Sequence, residues 1–491
     1  MSRVLPDRST KNLPPWFVRI AVNIQKVFIV AGVVGAGIVL GYLLTSPSAS
    51  LTTSIIGIVV HLVIIVINPL VGFLFWFIFH PFSERVINID LGAGIPDLSP
   101  ARFVVMLLFV MILAQVATYQ RKWPRLTKVD WAIIGFALAI ILSTLGANDP
   151  IAGLQFAYDN YLAPLVIYFL IKQLVLDRQD LDRVLKTILF IGGYAAIYII
   201  YEQLTSNVIQ FGEPPDQIIT FNHIYVSYTE SLRLVQGLFK GTHVFGLIFT
   251  MAIPFAFYFM FEAHSPIKKT VYALLIFLMF VGLFYTYKRA AWFSVPPSFL
   301  VIQFFYPKFR RLFWVMLVVV GILLIATWGQ ISDSAVVTER IQGDKLESAN
   351  GRTDIWEETF DLWKQRPWFG YGFRETEQIR GGATENFYLM VLASTGIVGF
   401  IPYLLMLIFI IWDSIVLYRR IGTSPHLFVS RELMAVFWGA SLTYVLKSFT
   451  GNQADLFANA LFMILVGAIV GSQEAALSLA KDNEQREVAT V

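Results

Sequence analysis

The chain has 491 residues, of which 57% are hydrophobic and only 14% are charged, whereas about 25% of the residues of an ordinary soluble domain are charged. The mean hydropathy of +0.67 means that lipid solvates most of the chain better than water does, which excludes a soluble enzyme. The net charge of +4 comes from Lys and Arg spread over loops and gives no nucleic-acid-binding face. The absence of cysteine excludes disulfides, thiolate nucleophiles and Cys-based metal sites.

The apolar segments predict an all-α, polytopic membrane helix bundle of about 12 to 14 transmembrane helices. The first segment, Val27 to Leu44, is longer than the core of a signal peptide, so we expect a retained helix. Residues 51–80 could form one tilted helix or two short helices broken at Asn68-Pro69, and the positions of the basic loops favour two. The further expected spans centre on 101–118, 129–146, 160–176, 185–205, 237–261, 269–286, 291–306, 311–328, 388–413, 429–449 and 456–474.

The positive-inside rule then predicts that both termini and the short basic loops are cytoplasmic, which places the long polar segments 206–236 and 330–384 on the outer face. The second segment carries seven Lys and Arg residues that the rule disfavours there, so we expect it to meet an anion. The resulting organisation has four parts. They are an N-terminal transmembrane bundle (1–328), a long loop on the outer face with short amphipathic helices, where we expect the chemistry (329–384), C-terminal transmembrane helices (385–475) and a cytoplasmic tail (476–491).

Two adjacent cations, Lys288 and Arg289, lie at the outer end of one expected span and the start of the next. Charges at membrane depth usually face a cavity or a partner. The planar guanidinium of Arg289 is suited to a phosphate, and Lys288 adds a point charge. The alternative is that both side chains extend to lipid headgroups.

The long outer loop contains a second cluster around Arg352, where the apolar spacing from Ile355 through Phe360 to Trp363 predicts an amphipathic helix at the membrane surface. A Pro-Trp-Phe-Gly turn at residues 367–370 ends this helix. The tryptophans indicate either a sugar-binding groove or anchorage at the interface. Arg352 could also pair with a neighbouring glutamate.

A third cluster begins with Glu385 and Asn386, which open an otherwise apolar span. The helix dipole alone could favour an acidic residue there, and the nearby arginines make a general base the alternative. His223 and His243 are rival bases near the outer face.

The order of these motifs resembles the O-antigen ligase and O-antigen polymerase superfamily. The resemblance rests on Arg233 with the Gly-Leu-Phe sequence at 237–239 and on residues 286–292. It also rests on Arg352 with Trp356 and on the Pro and Gly residues of the 367–372 turn. The ligases have His followed by Asn, Ser or Gln, nine residues, Gly, two residues and Gly. This chain has the same spacing from Asn386 to Gly396 and Gly399, with Glu385 in the position of the histidine.

The resemblance implies an integral membrane glycosyltransferase of the bacterial inner membrane whose donor is an oligosaccharide linked to undecaprenyl pyrophosphate. It implies that arginines rather than a metal hold the pyrophosphate, and we expect no cofactor. Arg289 with Lys288 would bind the pyrophosphate, Arg352 would assist, and Glu385 would accept the proton of the attacking hydroxyl. The catalytic candidates are thus Glu385 and Arg289, and the substrate-binding candidates are Lys288, Arg352, Arg233, Asn386, Arg374 and Arg380.

Glutamate in place of histidine favours a polymerase, for which repeat units are both donor and acceptor, over a ligase that transfers the glycan to lipid A core or a protein. A flippase for a lipid-linked sugar is the alternative from another class. Internal repeats and charges at mid-membrane are typical of transporters, and the sequence shows no repeat and few such charges.

Overall fold

The structure is a computed structural model. It describes residues 49–86, 99–118, 125–205, 239, 242–327, 345–382, 384–424, 426–451 and 455–477. The predicted first span, Val27 to Leu44, and the long polar segment 206–236 lie outside the described residues. Between residues 205 and 242, the structure describes only Phe239.

All regular secondary structure in the described ranges is helical. The helices are α1 (Ala49–Ile67), α2 (Pro69–Val86), α3 (Pro100–Ala117), α4 (Lys128–Leu145), α5 (Pro150–Ala157), a π-helical turn (Tyr158–Leu162), α6 (Ala163–Leu174), α7 (Arg178–Thr205), α8 (Thr242–Glu262), α9 (Pro266–Tyr285), α10 (Arg289–Phe305), α11 (Pro307–Ala326), α12 (Lys345–Gln365), α13 (Phe373–Arg380), α14 (Phe387–Arg420), α15 (Arg431–Ser448), α16 (Leu456–Val466) and a final π-helical turn (Gly467–Gly471). Seven helices in the described part are long and apolar enough to cross a membrane. The prediction of an all-α polytopic membrane protein is confirmed.

The chain divides into two compact units, residues 1–100 and 101–491. In the first unit, α1 and α2 are separate helices that break at Asn68, as the sequence predicts. Pro69 lacks the N–H of a continuing helix, and the Asn68 side chain accepts a hydrogen bond from the Val71 N–H at 3.1 Å. The two helices pack against each other, and the His61 ring nitrogen Nε2 is 3.0 Å from the Gly72 carbonyl oxygen.

The centre of the second unit is α8, whose side chains are buried on every face from Val244 to Phe259. A helix that is apolar all round is typical of a buried core helix or a membrane span. Helices α7, α9, α10 and α15 pack against α8. This central helix brings the start of α8, the start of α10 and the end of α15 to one end of the bundle.

Basic residues concentrate at the opposite end of the same helices. Arg178, at the start of α7, donates hydrogen bonds to the Tyr258 hydroxyl at 2.5 Å and to the Phe428 carbonyl at 3.4 Å. Lys308 approaches Glu262 at 3.4 Å. The short basic loops are therefore separated from the end that holds Lys288 and Glu385 by the length of the helices.

Candidate functional site

The corner between α9 and α10 carries the two adjacent cations. Tyr287 has a φ of 49°, a left-handed conformation that turns the chain sharply after α9. The Trp292 indole N–H donates to the Leu283 carbonyl at 2.8 Å and so fixes the first turn of α10 against the last turn of α9. Lys288 is the N-cap residue of α10, and its side chain makes no capping hydrogen bond.

The segment after α12 packs its backbone directly on α14, where that helix is broken. Gly396, inside α14, has a φ of 61° and a ψ of −165°, which are not helical values. The break frees the Ile397 N–H to donate to the Pro367 carbonyl at 2.9 Å, and the Val398 N–H donates to the Trp368 carbonyl at 3.2 Å. A Cβ atom at position 396 would lie 2.2 Å from the Trp368 carbonyl oxygen. Only glycine therefore permits this contact.

The same contact continues on the other side of the turn. The Gly372 N–H donates to the Ser394 carbonyl at 2.8 Å, and the Tyr371 N–H donates to the Ala393 carbonyl at 3.2 Å. A Cβ atom at Gly370 would lie 2.4 Å from the Ser394 carbonyl carbon. The Pro and Gly residues that carry the sequence resemblance thus join the loop to α14, and this junction sets the distance between Arg352 on α12 and Glu385 before α14.

Glu385 precedes the N-cap of α14 in a left-handed conformation, with a φ of 51°. Asn386 is the cap residue, and its side chain accepts a hydrogen bond from the Leu389 N–H at 3.2 Å. The Glu385 carboxylate accepts a hydrogen bond from Nε of Arg352 at 2.6 Å, although both side chains keep over two fifths of their surface exposed. Among the described residues, Tyr287 and Glu385 are the two non-glycine residues with positive φ, and strained residues often mark functional sites.

These groups meet around one cavity of about 820 Å³. Its polar wall holds four cations and one carboxylate, which are Lys288, Arg289, Arg352, Lys447 and Glu385. The rest of the wall includes His243 and the apolar side chains of Phe293, Pro297, Leu446 and Phe449. With His243 neutral and Lys447 protonated, the wall carries three positive charges in excess. Such a cavity can bind a polyvalent anion next to a carboxylate that can accept a proton.

Helices α10 and α15 supply the apolar wall of the cavity. The start of α10 also positions Lys288 and Arg289. The helix begins at Arg289, so its positive dipole end lies at the cavity. The described residues form no ion pair with Arg289. The position and charge of the guanidinium therefore suit an anion that enters from outside the protein.

Lys447 was missed in the sequence because it ends an otherwise apolar span. It lies in the last turn of α15, its side chain is buried, and its ammonium group donates to the His243 carbonyl at 2.7 Å. A lysine inside an apolar segment is itself a signal of function, so the residue could have been singled out. His223 lies outside the described residues.

The predicted binding residues Arg374, Arg380 and Asn386 do not line the cavity. Arg374 pairs with Asp149 at 2.9 Å and joins α13 to the loop before α5. The Asn148 side chain and backbone N–H donate to Glu375 in the same junction. The lowered pKa of Asp149 results first from the Ala152 N–H and then from Arg374.

Arg380 has a buried side chain that donates to the Ile355 carbonyl at 3.3 Å and lies 3.8 Å from Glu358. It fixes α13 to α12, outside the cavity wall. Asn386 caps α14 as described, and Arg233 lies outside the described residues. Structural contacts thus account for the side chains of Arg374, Arg380 and Asn386.

Two aromatic residues of the loop, Trp363 and Tyr371, contact other residues of the same loop. Trp363 donates to the Pro367 carbonyl at 3.2 Å, and the Arg366 guanidinium stacks over the Tyr371 ring at 4.3 Å. Trp368 is exposed. These residues do not line the cavity.

The fold and the site define a polytopic α-helical membrane protein with a cation-lined cavity at one end of its helices. Residues 274–404 match the family model described as O-antigen ligase. This confirms the resemblance to the O-antigen ligase and polymerase superfamily and supports a membrane enzyme of polysaccharide biosynthesis. The matched segment contains Lys288, Arg289, Arg352 and Glu385, whereas His243 and Lys447 lie outside it. No curated protein matches the chain.

Proposed function

We propose that the protein is a membrane glycosyltransferase that polymerises oligosaccharide repeat units linked to a polyprenyl pyrophosphate. The observation that carries this proposal is that the wall of one cavity holds the cations of Lys288, Arg289 and Arg352 together with the carboxylate of Glu385. A pyrophosphate leaving group is the anion that such a cavity suits, and the carboxylate is the acceptor for the proton of an attacking hydroxyl.

The donor binds through its pyrophosphate to Arg289, whose guanidinium can form paired hydrogen bonds, and to Lys288 beside it. The N-terminal end of α10 adds its dipole at the same place. The apolar wall that includes Phe293 and Phe449 continues from these cations and suits the first units of the polyprenyl chain.

Arg352 and Glu385 work as a pair. In the absence of donor, Arg352 bonds to the Glu385 carboxylate. Because Arg352 also lines the cavity, the donor pyrophosphate competes for its guanidinium. When Arg352 turns to the phosphate, the Glu385 carboxylate is released to accept the proton of the attacking hydroxyl.

Glu385 accepts the proton of the acceptor sugar hydroxyl, and the oxygen of that hydroxyl bonds to the anomeric carbon of the donor. The bond between this carbon and the phosphate oxygen breaks, and its electron pair stays on the pyrophosphate. The cations stabilise the negative charge that the leaving group gains.

The basic loops at the opposite end of the helices favour an orientation in which the cavity faces the periplasm or the cell exterior, as the positive-inside rule requires. The bacterial inner membrane, with both chain termini in the cytoplasm, is the corresponding location. A ligase that transfers the glycan to lipid A core or a protein is the second candidate, which the description of the matching family favours.

The test is a reaction of the purified protein with the lipid-pyrophosphate-linked repeat unit as the sole substrate, resolved on a gel. We expect a ladder of products. Donor consumption only after lipid A core or a protein is added would show a ligase instead. Translocation of the lipid-linked sugar in vesicles, without any new glycosidic bond, would refute both and show a flippase.

A further inference from the structure

We propose that Lys447 is a further ligand of the donor pyrophosphate and that it stabilises the charge developing on the leaving group. This inference rests on the proposed function for the identity of the anion. The anion site itself is argued from the position, burial and contacts of Lys447.

Lys447 belongs to the cavity by position. Its side chain is 6% exposed, lines the same cavity as Lys288 and Arg289, and projects from the last turn of α15 toward α8. Gly246 lies opposite on α8, where a Cβ atom would come within 3.4 Å of the lysine Nζ. The small residue at this position leaves room around the ammonium group.

The contacts of Lys447 leave its charge without a counterion among the described residues. Its ammonium group donates one hydrogen bond, which the His243 carbonyl accepts. A buried cation is costly unless a carboxylate or further hydrogen bonds compensate for lost water. The bond to one carbonyl satisfies one of its three donors.

The chain offers a direct comparison in Lys172, the other lysine that is buried among the described residues. Lys172 is 3% exposed, and its ammonium group pairs with Asp130 at 2.6 Å. The charge of the buried Lys172 is thus balanced by a carboxylate. Lys447 instead faces a cavity lined with other cations. Its counterion would therefore be an anion that enters this cavity from outside the protein.

A purely structural role for Lys447 would be to join α15 to α8 through the His243 carbonyl. A neutral donor would serve that purpose without the cost of burying a charge, and a helix C-terminus favours a cation even at an exposed position. Without a counterion, burial and the neighbouring Lys288 favour loss of the Lys447 proton, and a bound anion would hold the ammonium form.

The chemistry of the transfer gives this charge a use. When the bond from the sugar to the phosphate breaks, the pyrophosphate gains one negative charge, so the bound anion becomes more negative as the reaction proceeds. A buried ammonium group interacts more strongly with that charge than an exposed one does, because water screens it less. Lys447 should therefore act on kcat more than on KM.

The test compares Lys447→Gln and Lys447→Met with the wild type, and Lys269→Gln, an exposed lysine on α9 outside the cavity wall, is the control. Binding of inorganic pyrophosphate is measured by calorimetry, and thermal unfolding is measured without ligand. We expect Lys447→Gln to lose at least about tenfold in pyrophosphate affinity and to unfold at the wild-type temperature or above, since a buried charge is removed. The control should match the wild type in both.

Unchanged pyrophosphate affinity in Lys447→Gln, or no pyrophosphate binding by the wild type, would overturn the proposal. A lower unfolding temperature in both variants with unchanged affinity would show a structural lysine. The outcomes for the proposed function can be told apart from those for Lys447. If Lys447→Gln loses pyrophosphate but the wild type forms no glycan product, the anion site stands and the transferase does not. If both proteins form the same ladder at the same rate, the transferase stands and the role of Lys447 does not.

Discussion

Substitution of Gly396 by alanine tests how the loop and α14 are joined. Gly396 has a φ of 61° and a ψ of −165°, a region essentially restricted to glycine, and this conformation costs an alanine about 1 to 2 kcal/mol. The added Cβ would also lie 2.2 Å from the Trp368 carbonyl oxygen, so the loop must move away. That movement breaks the hydrogen bonds from Ile397 to Pro367 and from Val398 to Trp368, each worth about 1 kcal/mol. We expect a total loss of about 3 to 4 kcal/mol.

Gly381→Ala is the control for a positive φ alone. Gly381 has a φ of 69° and a ψ of 20°, and a Cβ atom there would meet nothing within 4 Å. It should therefore lose only the conformational term of about 1 to 2 kcal/mol. Gly396→Ala should lose more, because its ψ of −165° lies in a region essentially restricted to glycine and its Cβ atom meets the Trp368 backbone.

The assay is denaturant unfolding of the detergent-solubilised protein, followed by tryptophan fluorescence, together with the transfer rate at a temperature where both variants remain folded. Gly396→Ala should lose more stability than Gly381→Ala and should also lose activity, because displacement of the loop separates Arg352 from Glu385. Equal stability losses in the two variants would refute the reasoning, as would a Gly396→Ala protein with full activity.

Three further substitutions test other parts of the site. Arg352→Gln should change the free energy of unfolding by less than about 1 kcal/mol, because its ion pair is exposed, while KM for the lipid-linked donor rises; a large loss of stability with unchanged KM would contradict this. Glu385→His should retain transfer activity, with the acidic limb of its pH profile moved toward the imidazole pKa of about 6.5; an inactive but folded variant would argue against a base at this position. The lowered pKa of Asp149 stabilises the folded protein above the usual carboxyl pKa, and this contribution is lost as the pH falls through the lowered value. Asp149→Asn should therefore unfold at a lower temperature than the wild type at neutral pH, and the two proteins should unfold at the same temperature once the pH falls below the lowered pKa of Asp149. A difference that persists in acid would refute the assignment.

Much of the helical framework could be predicted from the sequence, because a span must be apolar over its full length. The break at Asn68-Pro69 and the end of α12 before the Pro367 turn follow from proline chemistry. The meeting of Lys288, Arg289, Arg352 and Glu385 could be anticipated from motif order.

The contacts between distant segments could not be predicted in this way. Arg374 and Arg380 resemble free cations in the sequence, but Asp149 and the Ile355 carbonyl engage them across the fold. The reason for glycine at 396 is a carbonyl oxygen 28 residues earlier, at Trp368. Lys447 gains its position at the cavity only from the packing of α15 against α8 and α10.

The most direct test of the central claim is to measure donor affinity and transfer rate in Glu385→Gln. If Glu385 is the base and restrains Arg352 in the absence of donor, the variant should bind the lipid-pyrophosphate-linked donor at least as tightly as the wild type, since Arg352 is released. Its transfer rate should fall by at least about 100-fold. Full transfer activity in Glu385→Gln would contradict the account and return His243 as the candidate base.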